Sequence, residues 1–343
     1  MAQDVAVQNE TADKSMVFSF GEPEGVLNGR DIWGLAELYH NGRWYEPPLP
    51  LTQLAKTFNM AVHHRSAIQI KINLLKKHFV PTRFLDAKNY EKFILNYLQM
   101  ANGFLEKIPN LAGRVLRLES SPASHTRVGV KEGSYYFIRN QLGRIDDHEF
   151  APGTIFHMFQ PDVAQEIYGL PEWLAALQSG LLNENTTLYH RRYYVNGAHS
   201  GSIFYMTDAF ADKETADDIK DRMQKAKGVG NFRNLFLYIP GGKKDGLQVM
   251  PIAAAMTKDE FANIKNVTRD DMLAAHRVPP QLIGIIPQNN GGFGDVGRAT
   301  DVFFANEIVP IMNETLAVND WLGVEAIRYL PYEKQANPVA AAK

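Results

Sequence analysis

The sequence predicts an α+β fold on three observations. Apolar residues recur at helical spacing between positions 52 and 98; the spacing drops to two from Phe104; and a long helix after Tyr168 precedes a small mixed module and a second amphipathic helix. Residues 43–50, RWYEPPLP, read as an extended lead-in. Residues 52–60 and 66–79 set apolar positions at helical period among Lys71, Lys76 and Lys77, and Pro81 ends that element. Asp86 is a good N-cap for a helix carrying Tyr90, Phe93, Ile94, Tyr97 and Leu98 on one face, closed by Asn102-Gly103. FLEKI, RVLRLES, SYYFIR and TIFHMF follow as four strand candidates separated by turns.

The long helix spans residues 171–195, roughly 37 Å at 1.5 Å per residue. Pro171 suits its first turn, Leu174, Leu177, Leu181 and Leu188 follow one face, and Asn196-Gly197 is the stop. Residues 198–256 read as βαββ: SIFYMT, a helix over 212–227, LFLYIP, a GGKKDG hairpin turn and LQVMPI. Thr257 then caps a helix with Phe261, Ile264, Val267 and Leu273 along one side, ended by Val278-Pro279-Pro280. Residues 280–297 form a glycine-rich loop without period, and its length suggests function. A last helix, 298–316, precedes the strand-like AIRYL. Two extended amphipathic rods around a small module cannot cover their nonpolar sides within one polypeptide, so they are expected to pack against copies of themselves.

With 343 residues, 45% hydrophobic and 22% charged, the chain has the composition of about two globular domains. It has no cysteine, which excludes disulfides, thiolate zinc sites, iron–sulfur clusters and cysteine nucleophiles. Thirty-six Lys and Arg against thirty-eight Asp and Glu leave a net charge of −2, which argues against a strongly phosphate-gripping surface. No apolar run approaches the roughly 18 residues that cross a bilayer, and residues 1–15 lack the pattern of a secretory signal. The expectation is a soluble, intracellular protein with no membrane partner.

Gly292, Gly294 and Gly297 spell G-x-G-x-x-G before a helix, the pattern of a phosphate cradle. No buried strand precedes it and no second βα unit follows, so a flexible loop is the better reading. The chain also lacks GxxxxGK[ST]. In Gly197-Ala198-His199-Ser200-Gly201 a histidine holds the place a nucleophilic serine needs. His63 and His64 are adjacent on a helix and point about 100° apart, so they cannot share one metal, and His157 has no ligand spacing around it. Asp146-Asp147 and Asp217-Asp218 lack the partners of a carboxylate pair. The cations that remain are Arg191-Arg192, Lys243-Lys244 in the hairpin turn, and Lys258, Lys265 and Arg269 on the second helix. Their ordinary roles are helix-end and solvated charge, unless they share a position around a channel.

The order of elements resembles that of the portal (head–tail connector) proteins of contractile-tailed bacteriophages, the PBSX-type branch. The resemblance covers about residues 18–332. Its carriers are NGRWYEPPLPL, AVHHRSAI, ANGFLEK, FHMFQPD with IYGLPEWLAAL, YYVNGAHSG, NLFLYIPGGKKDG, AAHRVPPQLIGI and NEIVP. It implies an N-terminal arm over 1–17, a wing over 18–165, a first stem helix over 166–197, a clip over 198–256 and a second stem helix over 257–278. A tunnel loop over 279–297, a helix and short strand over 298–330 and a tail over 331–343 complete the order. Larger portals add a helical crown, which the short remainder after Leu316 leaves reduced or absent.

What the resemblance implies is a non-enzymatic ring of twelve copies in the virion, at one capsid vertex, passing double-stranded DNA and binding no cofactor. Its partners are then the terminase large subunit, whose ATP hydrolysis drives packaging, the major capsid or scaffold protein, and head-completion proteins. Gln288, Asn289, Asn290, Gly291, Gly292 and Arg298 become tunnel-loop candidates, Lys258, Lys265 and Arg269 stem candidates, and Lys243 and Lys244 docking candidates in the clip. Twelve helices about 10 Å apart leave a bore of about 28 Å, wide enough for a duplex. Two rivals remain: a nucleotide-dependent enzyme using the loop from Gly292 to Gly297, and a DNA-binding module that forms no ring.

Overall fold

The computed structural model describes residues 39–141, 144–195, 202–206, 247–251, 258–286 and 295–333. Helix α1 (Leu51–Lys56) runs through a 3-10 turn (Thr57–Asn59) towards α2 (Val62–His78). Along α2 the positions Ala67, Ile68, Ile72 and Leu75 are buried at i, i+1, i+5 and i+8, one stripe of an amphipathic helix. Phe79 ends it in extended backbone, two residues before Pro81. Helix α3 (Ala87–Met100) begins as expected: the Asp86 carboxylate accepts from the Lys88 and Asn89 amides, both at 2.8 Å.

The end of α3 differs from the expectation. Ala101, not a glycine, takes the left-handed conformation (φ 56°), and Asn102 already starts strand β1 (Asn102–Pro109). Gly103 has a different task, since a Cβ there would stand 2.8 Å from the Phe93 ring of α3. Strand β1 is the centre of an antiparallel sheet between β2 (Val115–Ser121) and a strand that pairs Asn102 with Phe159.

A second antiparallel sheet holds β3 (Thr126–Val128), β4 (Tyr135–Gln141) and β5 (Arg144–Glu149), and β6 (Ile155–Phe159) returns to the first. Four strands were legible in this region; β3 and β5 were not. The three residues of β3 are too few to show a period, and RIDDHE in β5 has one apolar residue.

Asn102 fastens the sheet to the chain that follows. Its amide donates to the carbonyls of Met100 (2.7 Å) and Gly169 (3.0 Å), and its oxygen accepts from the Gly169 amide (3.1 Å) and His157 Nε2 (3.0 Å). Four bonds satisfy a fully buried side chain amide. Tyr168 donates to the Tyr45 carbonyl and accepts from the Val128 amide, both at 2.8 Å, so the lead-in and second sheet meet at one phenol.

After a 3-10 turn (Glu172–Ala176), helix α4 covers Leu177–Val195 and α5 covers Lys258–Ala275. Strands β7 (Ser202–Met206) and β8 (Leu247–Pro251) pair antiparallel; the expected helix over 212–227, the LFLYIP strand and the GGKKDG turn lie outside the described residues. The apolar face expected along α4 holds only at its start. Leu174 and Leu177 are buried, but Leu188 is exposed, while the polar Asn183 and Thr186 are buried. On α5, Leu273 is buried and Val267 is exposed.

The final helix is longer than the periodicity indicated: α6 (Val296–Phe303), a π turn (Phe304–Ile308) and α7 (Val309–Leu322), ended by Gly323 at φ 74°. Pro310 lies just past the π turn and has no N–H to give to the ladder; the wider turn accommodates it without ending the helix. The core gathers α2, α3, β1, β2, Leu273 of α5, Phe303, Phe304, Ile308 and Ile327 into one cluster. Tyr329 bridges Phe79, and its hydroxyl meets that of Tyr90 at 2.7 Å.

Gly169 is the tightest joint of this core. A Cβ there would lie 2.5 Å from the carbonyl oxygens of Ala101 and Gln160, backbone atoms that cannot turn aside. Gly169→Ala is expected to lower the unfolding free energy by about 2–3 kcal/mol, read as a fall in the denaturant midpoint. Gly153→Ala, at φ 72° with open space around it, is the control with strain but no collision.

Candidate functional site

Helices α4 and α5 run antiparallel, as their side-chain partners show. Ser179 donates to Asp271 (2.8 Å), Asn183 to Thr268 (2.7 Å), and Lys265 to the Thr187 hydroxyl, so numbers rise on one helix as they fall on the other. Lys265 also reaches the Asn183 carbonyl (3.2 Å) and side-chain oxygen (3.0 Å). Burial pushes its ammonium below the ordinary lysine range. Gly180 allows close approach, for a Cβ would lie 2.8 Å from the Met272 methyl and 2.9 Å from that of Met60. Towards the far end the His190 ring meets Phe261 edge-on at 3.8 Å and Tyr189 stacks on it at 5.5 Å.

Of the stem candidates, Lys265 therefore turns into the seam between the helices. Arg269 is held along its own helix by Asp270 (2.8 Å) and Asn266 (3.1 Å), with a mostly buried side chain. Lys258 is the first residue of α5. His63 faces this region from α2; burial lowers its pKa first, and the nearby cations Arg269 and Lys265 lower it further.

At the root of the hairpin a chain of neutral polar groups ties α5 to α2 and α3. Gln99 donates to the carbonyl of Leu54 (2.6 Å) and to Thr57 Oγ1 (3.2 Å), which leaves its oxygen to accept from His64 Nε2 (3.0 Å). His64 Nδ1 must then accept from His276 Nε2 (2.9 Å). Burial holds His64 down at about 4 and His276 at about 2, so both are neutral at physiological pH. Trp173, from the 3-10 turn before α4, packs edge-on against His64 at 4.5 Å and donates to the Gln99 carbonyl at 3.2 Å.

Beside it lies a charged joint. Lys71 of α2 is buried, and its ammonium donates to Glu307 of the π turn at 3.2 Å. Burial lowers the lysine's pKa, and Glu307 opposes that shift. Arg277, just past α5, takes a left-handed φ of 54° and bridges Glu307 (3.3 Å) to Glu172 (2.6 Å) at the root of α4. The roots of α4 and α5, α2 and the long final helix thus meet in one set of charges. Sequence reasoning missed it, although the signal was present: Lys71 occupies the apolar phase of α2, between Ile68 and Ile72.

Beyond Arg277 the described part of the expected loop holds a 3-10 turn (Pro280–Ile283) ended by Gly284 at φ 79°. Gln288, Asn289, Asn290, Gly291 and Gly292 lie outside the described residues, as do Lys243 and Lys244. Asp295 caps α6, its carboxylate accepting from the Arg298 amide at 2.9 Å, and Arg298 is exposed in the first turn. The anion that a helix N-terminus attracts is here supplied by Asp295, which argues against a phosphate cradle at Gly297. Among the described residues no three His, Asp or Glu gather as a metal site, and no helix is long and apolar enough to cross a membrane.

The family model described as "Phage portal protein" matches residues 86–330. The "Probable portal protein" of Escherichia phage P2 is 46% identical over 319 residues, 93% of this chain and 92% of that one. The "Probable portal protein" of Haemophilus phage HP1 is 36% identical over 273 residues, 79% of each chain. Among solved structures, a chain from the "Neck of native GTA particle computed with C12 symmetry" superposes with a TM-score of 0.60 at 18% identity, over 88% of this chain and 89% of that one. An HK97 family phage portal protein from Corynebacterium diphtheriae gives 0.57 at 12% identity, over 84% and 96%.

Two measurements probe these buried groups. Glu307→Gln strands the buried Lys71 ammonium and is expected to cost on the order of 3 kcal/mol of stability, while Lys71→Met with Glu307→Gln recovers most of that loss in a double-mutant cycle. Additive costs in the cycle would show that the two side chains do not interact. His64, His157 (held at about 3 by burial) and His276 are neutral when folded and take up protons near 6.5 once unfolded. Their contribution is therefore intact above pH 6.5 and is lost as pH falls from there towards 4, by on the order of 1 kcal/mol per pH unit for each histidine. His157→Gln should flatten that slope between pH 6.5 and 5 in denaturant titrations.

Proposed function

Because the chain belongs to the phage portal protein family, we propose that it forms a ring of twelve copies at one capsid vertex, through which double-stranded DNA enters and leaves. The observation that carries this reading is the antiparallel α4–α5 hairpin, two rods of roughly 28 and 27 Å, rooted in a wing-like α+β body and followed by a loop that leads into a long helix. A neck particle solved with twelvefold symmetry contains a chain of like fold. The role of the family is structural, and the energy for packaging comes from a separate motor ATPase.

In this reading the polar stretch from Gln288 to Gly292 and the exposed Arg298 touch the duplex where it passes the loop. Lys258 stands on the second rod near the clip, while Lys265 and Arg269 hold the rods rather than the DNA. The module containing β7, β8 and Lys243-Lys244 is the docking surface for the terminase large subunit and for head-completion proteins, and the wing meets the major capsid or scaffold protein. The ring resides in the virion after assembly in the host cytoplasm.

Native mass spectrometry or negative-stain images of the purified full chain should show rings of about a dozen copies; a stable monomer at micromolar concentration would overturn the proposal. Deleting residues 288–294 should leave rings intact while packaging of DNA fails in a particle assay. Normal packaging by the deletion variant would remove the loop from the mechanism.

A further inference from the structure

The α4–α5 hairpin is built inside out. Two antiparallel helices ordinarily bury leucine and isoleucine between them, yet the middle of this seam holds Ser179, Asn183, Thr186, Lys265 and Thr268, of which Asn183, Thr186 and Thr268 are buried. Several large apolar side chains are left outside it instead. Leu182 is 48% exposed, Leu188 41%, Tyr189 42% even with its ring on Phe261, and Val267 52%.

These residues fall in two stripes. Leu182 and Tyr189 are seven apart and therefore only about 20° out of line; Leu181, half-buried, and Leu188 form a second pair about 100° round the same helix. The partners Ser179–Asp271, Asn183–Thr268 and Thr187–Lys265 fix the mutual phase of the helices. With right-handed, antiparallel helices in that phase, Val267 falls on the same side of the hairpin as Leu182 and Tyr189. Leu181 and Leu188 then lie on the back of α4, away from α5.

Two unlike apolar stripes suit a head-to-tail contact, in which one patch of each copy meets a different patch of the next, and such contacts close into rings when the rotation allows. We propose that the covering partner is a second copy of this chain: Leu182, Tyr189 and Val267 of one copy pack against Leu181 and Leu188 of its neighbour. This rests on the ring proposed above and names the contact that closes it. The polar seam is the independent argument, because a hairpin that stood alone would bury its leucines and expose its threonines. One solved chain of like fold comes from a neck with twelvefold symmetry, in which every copy has a neighbour on each side.

The absence of cysteine from the sequence makes a clean test, since introduced thiols are then the only ones. The double variant Leu181→Cys with Leu182→Cys carries one thiol on each stripe at one height, as cyclic symmetry requires. Adjacent helical residues point about 100° apart and do not favour bridging one another. Mild oxidation of the full-length double variant should give a ladder of covalent multimers up to the ring size, and each single variant should stop at the dimer or below. A second variant, Leu182→Glu with Val267→Glu, should keep the wild-type circular dichroism and lose the ring. Rings that persist in the glutamate variant, or rings of the cysteine variant that oxidise without a ladder, overturn this contact. A wild-type protein that stays monomeric overturns the ring itself, a different result from either.

Discussion

A buried ammonium has to be paired, and in this molecule that requirement fixes how its parts meet. Lys71 lies in the apolar phase of α2, so its charge is carried into the core with Ile68 and Ile72 on either side. The partner, Glu307, comes from the final helix, and it sits inside the π turn that lets the helix run on past Pro310. Arg277 completes the set in a left-handed conformation that costs a non-glycine residue about 1–2 kcal/mol. Its two carboxylate partners hold it there, one on the π turn and one at the root of α4. A strained backbone, an irregular helix and a buried lysine are therefore one feature seen from three elements.

The neighbouring histidine chain solves the same problem without charge. Gln99, His64 and His276 pass hydrogen bonds in one direction, and burial keeps both imidazoles neutral. Neutral groups avoid the desolvation cost that a buried ion must recover from its partner. They also have directional demands, and this chain is satisfied only when α1, α2, α3 and the end of α5 are in register. The root of the hairpin is thus set twice, by direction in the histidines and by charge in the lysine joint.

Local chemistry made some of this legible in the sequence. Asp86 announced the start of α3 because a cap is a contact between neighbours in the chain. The four strands with alternating apolar residues stood out as well, whereas Pro171, read as the first turn of the first rod, is extended and precedes a 3-10 turn, so that α4 begins only at Leu177. What stayed hidden depended on distant partners: β5 is charged and pairs with β4 along its length, and the Lys71–Glu307 pair joins residues 236 apart. The apolar face read along α4 was real as a pattern and mistaken as a statement of burial, since Leu188 is exposed and Asn183 is not. Of the candidate site residues, Lys265 and Arg269 were found by charge alone, and charge does not say which way a side chain turns.

The near-neutral net charge takes on meaning from where the cations go. Arg43 meets Asp147, Lys76 meets Glu91, Arg127 meets Glu46, and Lys107 lies over the Trp321 ring at 3.7 Å, while Lys265 is spent in the hairpin seam. A conduit gains from such pairing, because each free cation facing a duplex adds a salt-dependent grip that slows passage. The polar seam serves the same end by another route. If leucines filled it, each hairpin would be complete alone and the rods would have little reason to associate. With threonine, asparagine and lysine inside, hydrogen bonds fix the phase of the two helices and keep them from rolling to bury their leucines on each other. The outward stripes are then left free for a neighbour, so the specificity of the single chain and the assembly of many copies follow from one choice of residues.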